Sequence, residues 1–268
     1  MDAKISVTTK CNAHCRTCPV WKYPGEDMSV DNFVLMWGKL MDSPHVHRVL
    51  LNNTGDLYNH PDHAGILKYV ESHLQKPVIM TTNAELMDYV PGIHELIISF
   101  NGGNKEGYEH TTGLPFERVF VNIRQHYEEF KKLGNLEMHI LIWDENAASE
   151  ADILKTWADF PGRIRISYKY DNQMAEDHTL DPFKRRERIY CDYLDVLSVW
   201  PNGQIISCAH DFKGETNWGN IFTDSVESLV QHPERRKKQT EHILEQWTGL
   251  CEKCNYNTPI WGKFNYLR

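Results

Sequence analysis

The sequence predicts an α/β chain: a parallel sheet with crossover helices, then a small C-terminal α+β unit. Two observations carry this. Apolar, β-branched runs alternate with helix-period patterns over the first two-thirds of the chain, with short connections between them. Past residue 175 the alternation stops, and a hairpin signal, a short helical pattern and a closing C-x2-C replace it.

The strand-like runs are residues 5–9, 48–51, 78–82, 95–100, 137–143 and 163–168. A helix is predicted over 30–41, where Phe33, Met36, Trp37 and Leu40 recur at 3–4 spacing. Another is predicted over 116–133, with Phe116, Val119, Phe120, Ile123, Tyr127 and Phe130 on one stripe. The connection after 78–82 is too short for a full helix, so that βα unit is degraded. In such sheets ligands bind beyond the C-terminal strand ends. Residues 1–175 read as this barrel-like unit, 176–190 as a charged linker and 191–268 as the second unit. The latter opens on a hairpin, with Pro201-Asn202-Gly203 at its turn and a helix at about 225–232.

The chain has 268 residues, 41% hydrophobic and 25% charged, an ordinary globular balance. A net charge of −8 argues against a nucleic-acid partner, which calls for a basic face. The runs at 184–188 and 235–238 read as solvated basic helix faces. No run of 18 apolar residues exists, and no apolar leader precedes the first strand, so neither a membrane span nor a secretory signal is expected. The seven cysteines form one group of three and one of four. That pattern suggests metal ligation in a reducing, cytoplasmic setting and not a disulfide framework.

Cys11, Cys15 and Cys18 form a C-x3-C-x2-C loop after the first strand. Their spacing is also i, i+4, i+7, so one helix face of small core residues is an alternative. Asn12 and His14 are poor helix formers, which weakens it. Part of a zinc site is a second alternative. With its position after a strand, the loop resembles that of the radical S-adenosylmethionine (radical SAM) enzymes. The resemblance implies a partial (β/α)6 barrel and a [4Fe–4S] cluster held through three irons. The open iron would chelate S-adenosylmethionine (SAM), and one electron would cleave it to a 5′-deoxyadenosyl radical. An external one-electron reductant such as flavodoxin or ferredoxin is then expected.

The resemblance extends along the chain. The family's G-G-E-like segment after strand two corresponds to Asn53-Thr54-Gly55-Asp56-Leu57, which implicates Gly55 and Asp56 in holding the SAM amino group. The T-N-G segment after strand three appears as Thr82-Asn83-Ala84, and the S-L-D-G segment after strand four as Ser99-Phe100-Asn101-Gly102. Thr82, Asn83, Ser99 and Asn101 are thereby implicated in SAM binding. The family's basic residue beyond strand four is replaced by Thr112, with Arg118 or His110 as substitutes. Thr17 stands where an aromatic usually precedes the third cysteine.

Cys191, Cys208, Cys251 and Cys254, with Gly203 and Trp218-Gly219-Asn220-Ile221, resemble the twitch extension, a short form of the SPASM domain. It implies one auxiliary [4Fe–4S] cluster; on spacing alone a four-cysteine zinc ribbon is equally compatible. Four thiolates saturate such a cluster, which points to electron transfer, and no cysteine is left to donate hydrogen to a substrate radical. Twitch-bearing members include an aminocyclitol dehydrogenase, so oxidation of a small sugar- or cyclitol-like substrate is expected. Arg165 and Tyr168 on strand six, with Tyr170 and Asn172 beyond, are the candidate catalytic residues. Arg165 would bind or deprotonate a hydroxyl. The alternatives are a peptide- or protein-modifying maturase, and a non-catalytic zinc or iron–sulfur binding protein.

Overall fold

The computed structural model describes residues 1–16, 18–142, 150–168, 190–208, 210–253 and 265–266. The central feature is an open sheet in the order β8-β7-β1-β2-β3-β4-β5-β6-β9. Strands β1 (Asp2–Ile5), β2 (Arg48–Leu51), β3 (Val78–Thr82), β4 (Glu95–Ser99), β5 (Asn135–Ile142), β6 (Arg163–Tyr168) and β7 (Val196–Val199) run parallel. Two short strands add antiparallel to the edges, β8 (Ile205–Ile206) on β7 and β9 (Asn265–Tyr266) on β6. The sheet does not close, as a partial barrel requires.

Crossovers between the first strands are α1 (Val30–Asp42) and α2 (His63–Ser72). Between β3 and β4 there is no helix, matching the degraded unit read from the sequence. After β4 come α3 (Lys105–Thr112), α4 (Phe116–Gln125) and α5 (Tyr127–Phe130), and before β6 lies α6 (Glu150–Thr156). The C-terminal unit holds α7 (Val226–Val230), α8 (Pro233–Ile243) and α9 (Leu250–Lys253).

Local chemistry accounts for the boundaries. Ser29 caps α1 through Asn32 N at 3.3 Å, and the helix buries Phe33, Met36, Trp37 and Leu40 as its periodicity requires. Each such side chain contributes about 1.5–3 kcal/mol on leaving water. Asn104 caps α3, and Gly113, at φ 69°, ends it in the left-handed region.

Three expectations need correction. The first strand is Asp2–Ile5, not 5–9, because residues 7–9 leave the ladder and pair with 26–28. Met28 N donates to Val7 O, Thr9 N to Glu26 O, and Thr8 Oγ1 to Asp27 Oδ1 at 2.6 Å. The helix expected over 116–133 breaks at His126 (φ −96°, ψ 7°), whose ring contacts Glu129 and Met87 O. In the 235–238 run, Arg235 is buried, its Nε donating to Leu194 O at 3.0 Å; only its neighbours make a solvated face. The 184–188 run lies outside the described residues, as does the expected linker up to 189.

The hairpin falls where the Asn-Gly turn predicts, but β7 lies parallel beside β1, so it extends the barrel sheet. Lys39 on α1 fastens the C-terminal unit, donating to the carbonyls of Ile221, Phe222 and Asp224.

The two faces of the sheet differ. Ala3, Ile5, Val49, Leu51, Met80, Leu96, Ile98, Met138, Ile140, Ile164 and Ile166 are buried and share one core with α1, α2, α4 and Trp157. The alternate residues point the other way and are largely polar: Lys4, Arg48, Glu95, Glu137, His139, Arg165 and Ser167. A parallel sheet covered by helices on both faces would be apolar on both. This polar inner face is where a ligand is expected.

Candidate functional site

The cysteine loop is held from two sides. Its backbone caps the end of α3, with His14 N donating to Thr112 O at 2.8 Å and Arg16 N to Thr111 O at 2.9 Å. These are carbonyls a helix terminus leaves unsatisfied. On the other side Gly55, at φ 75°, backs against the loop's lead-in. A Cβ there would meet Thr8 O at 2.4 Å and Lys10 O at 2.8 Å, so no other residue fits. Asp56 N completes the contact by donating to Lys10 O at 2.9 Å.

Cys11, Cys15 and Cys18 are partly buried and form no disulfide. Burial pushes Cys11 up to about 12, and the nearby Asp56 and Cys18 add to it. Burial also raises Cys15, reinforced by Cys11 and Cys18. The three sulfurs therefore sit close enough to act on one another. Among the described residues no three His, Cys, Asp or Glu side chains converge on one metal ion. A cluster bound through one thiolate per iron does not require that convergence.

Asp56 is fully enclosed and joins three loops. Its carboxylate accepts from Tyr58 N at 3.1 Å, Thr82 Oγ1 at 2.9 Å and Asn83 N at 2.8 Å. Burial raises its carboxyl above the usual range against the pull of those bonds. Asn83 then reaches the cysteine loop: its Nδ2 donates to Asn12 Oδ1 at 3.0 Å and lies 3.8 Å from Cys11 Sγ. Ala84, where the family pattern has glycine, adopts φ 63°. Beside them, both side-chain amide atoms of Asn53 and the Thr54 hydroxyl are buried without a partner among the described residues. Orphaned buried polar atoms are rare in native proteins, and here they suit a polar ligand lying against the cysteine loop.

The residues weighed as substitutes for the missing basic group are all engaged. Arg118 pairs with Glu85 at 3.0 Å, and Glu85 accepts from Asn12 Nδ2 at 2.5 Å. His110 contacts Arg16, and Thr112 Oγ1 bonds back to Tyr108 O.

Ser99 ends β4 and is in register with His139 on β5, which is in register with Arg165 on β6. The three make a polar row across the inner face. Arg165 Nε donates to Glu137 Oε1 at 2.6 Å, and Glu137 also lies 3.4 Å from Arg163. The guanidinium so paired presents its remaining N–H groups as hydrogen-bond donors. Asn101 lies just past β4, before Gly102, which packs on Tyr108. The backbone of Tyr168 ends β6, but its side chain, Tyr170 and Asn172 lie outside what is described.

Sequence reasoning missed His139 and Glu137. The signal was available: they alternate with Leu136, Met138 and Ile140 on a strand whose other face is apolar. His139 Nε2 bonds Ser167 Oγ at 2.7 Å. Burial, with the Arg165 charge second, pulls its ring down to about 3. An unfolded histidine protonates near pH 6.5, so between 6.5 and 3 the unfolded chain binds the extra proton. Stability is lost as pH falls through that window. His139→Gln is expected to remove on the order of 2 kcal/mol of this acid sensitivity. Denaturant melts at pH 7 and 4.5 test it, and an equal loss in both proteins refutes it.

In the C-terminal unit, Cys191 precedes the 3-10 turn Asp192–Asp195 leading into β7, Cys208 follows β8, and Cys251 lies on α9. Cys254 lies outside the described residues. The glycine positions have clear causes. Gly203 turns the hairpin at φ 82°, where a Cβ would strike Asn220 Oδ1 at 2.4 Å. Gly219, at φ 99°, lets its segment lie along β8: Ile205 N donates to Gly219 O and Trp218 N to Ile205 O, each at 2.9 Å. Lys4 on β1 lies over the Tyr193 ring at 4.1 Å, within electrostatic reach of Cys191 and Cys208.

Open parallel sheet, polar inner face and cysteine loop define a chain with the radical SAM fold that carries a SPASM domain. Residues 191–255 match the SPASM family, an iron–sulfur cluster-binding domain. No curated protein matches the sequence as a relative. Among solved structures, BtrN in complex with AdoMet and 2-DOIA is 14% identical, with a TM-score of 0.59 over 95% of this chain and 92% of BtrN. Streptococcus suis SuiB bound to precursor peptide SuiA is 13% identical, TM-score 0.64, over 89% of this chain and 66% of SuiB. anSMEcpe with bound AdoMet and Cp18Cys peptide is 14% identical, TM-score 0.62, over 95% and 86%. At these identities the likeness is one of fold. No helix among the described residues is long and apolar enough to cross a membrane.

Proposed function

We propose that the chain is a radical SAM oxidoreductase acting on a small, uncharged, polyhydroxylated substrate of sugar or cyclitol type. The observation that carries this is the inner-face row of Ser99, His139 and Arg165 with Glu137 beneath it. Its charges cancel: Glu137 and Glu95 offset Arg163 and Arg165. Neutral hydroxyls suit such a floor better than a carboxylate or phosphate does.

In this reading Cys11, Cys15 and Cys18 hold the SAM-binding [4Fe–4S] cluster, and Cys191, Cys208, Cys251 and Cys254 saturate an auxiliary one. When bound, and given one electron by an external reductant, the first cluster and SAM would supply a 5′-deoxyadenosyl radical for abstraction of a substrate hydrogen atom; the second cluster would accept the electron left on the substrate, and the hydroxyl proton would pass to solvent. The chain's own residues do the positioning. Asn53 and Thr54 offer unspent hydrogen-bonding groups to SAM. Gly55 lets the loops approach, and Asp56 holds Thr82 and Asn83 against the cysteine loop. Ser99 and Asn101 face the ligand from the end of β4. Arg165 donates to a substrate hydroxyl, and Tyr168, whose backbone ends the same strand, is the second candidate.

BtrN, matched over nearly its whole length, is in a complex with AdoMet and 2-DOIA, which favours the small-substrate reading. The peptide complexes of SuiB and anSMEcpe make peptide modification the competing one. Anaerobically reconstituted protein is expected to hold about eight irons. With a strong reductant and deuterated sugars, cyclitols and peptides, label should enter 5′-deoxyadenosine from a sugar or cyclitol. Cys251→Ala with Cys254→Ala should keep SAM cleavage and lose product. Zinc in both sites overturns the enzyme reading, and label from a peptide alone overturns the substrate class.

A further inference from the structure

Lys4 has a setting that neither the fold nor the SAM site explains. It lies mid-strand on β1, on the inner face, in register with Ser198 on β7 and Leu50 on β2. Ser198 is in register with Ile206 on β8, two residues before Cys208. Tyr193, whose ring lies under the Lys4 ammonium at 4.1 Å, sits two residues after Cys191. Both cysteines therefore reach the chain segments that surround Lys4.

No described carboxylate forms a direct ion pair with this ammonium. Asp2, on the same face two residues away, is taken by Arg48. The Ser198 and Ser6 hydroxyls are buried and without partners among the described residues. Burial lowers the Lys4 ammonium; Asp2 acts against this and Arg48 with it, and the thiols of Cys191 and Cys208 add a smaller upward pull. A half-buried ammonium over an aromatic ring, beside two idle hydroxyls and a carboxylate already paired with Arg48, is well matched by an anion.

We propose that Lys4 is the counter-charge of the auxiliary iron–sulfur cluster and raises its affinity for an electron. This rests on the reading of the second cysteine group given above. A cluster saturated by four thiolates is an anion, and it gains one further negative charge on reduction. A fixed positive charge therefore favours the reduced form more than the oxidised one. Net charge is among the factors that set such potentials. The consequence is functional: the auxiliary site becomes a better acceptor for the second electron of an oxidation.

The test uses the full chain with Cys11, Cys15 and Cys18 replaced by Ala, so that the auxiliary cluster alone forms. Iron content and an EPR-monitored redox titration are compared for Lys4, Lys4→Met, Lys4→Gln and Lys4→Arg. Met and Gln should take up the same iron and weaken electron affinity about tenfold, a midpoint 59 mV more negative for a one-electron couple. Arg should retain the parent midpoint. An unchanged midpoint in Met and Gln, with the cluster present, overturns the role of Lys4 alone. Failure of the parent to take up iron overturns the cluster reading instead. If both neutral variants unfold without any cluster, Lys4 belongs to the packing and the proposal fails.

Discussion

Cys15→Ala is expected to abolish formation of 5′-deoxyadenosine, to the level seen without protein. The loop has three cysteines for three irons, and two thiolates leave half of a four-iron cluster without protein ligands. The loss should be chemical and not a loss of fold. The anchors on either side of Cys15 are backbone bonds, His14 N to Thr112 O and Arg16 N to Thr111 O, and alanine preserves both. Cys15 O likewise still accepts from Cys18 N at 3.0 Å and Trp21 Nε1 at 3.2 Å. The metal-free variant should stay within about 1 kcal/mol of the parent. Anaerobic turnover with SAM and reductant, beside a thermal melt of both apo-proteins, separates the two effects. Persistent SAM cleavage refutes the assignment of the loop.

Asp56→Ala should act in the opposite way, through structure first. It strands three buried donors at once: Tyr58 N, Thr82 Oγ1 and Asn83 N. Each unsatisfied group costs about 1–3 kcal/mol, so a loss of at least 3 kcal/mol is expected, on the order of 10 °C in Tm for a chain this size. SAM binding should weaken as well, because Asn83 loses the contact that aims it at Asn12 and Cys11. Asp56→Asn keeps one acceptor oxygen and should fall between the two. If Asp56→Ala melts within 2 °C of the parent, the carboxylate does not tie these loops together.

How much of this was legible in the sequence follows from how local each signal is. β2, β3 and β6 fall on the predicted residues because their β-branched runs are bounded by polar ones. The first strand was misplaced because Val7, Thr8 and Thr9 have good strand propensity but spend it on residues 26–28. Propensity says that a segment is extended, not which neighbour it joins. The break at His126 was likewise invisible, since the apolar stripe continues through it and the cause is a contact with Met87.

The site divides the same way. The cysteine spacing and the order of the short segments after each strand are written along the chain, and they carry the resemblance to radical SAM enzymes by themselves. Register is not so written. Ser99, His139 and Arg165 are far apart in sequence, and become one polar row only when β4, β5 and β6 pair. Lys4 gains its meaning only when β7 adds beside β1 and carries Tyr193 and Cys191 to it. Thiolate ligands can be recognised from residue type and spacing. A balanced charge, or an ammonium set over an aromatic ring, depends on distances between remote side chains, and those are set by the tertiary structure alone.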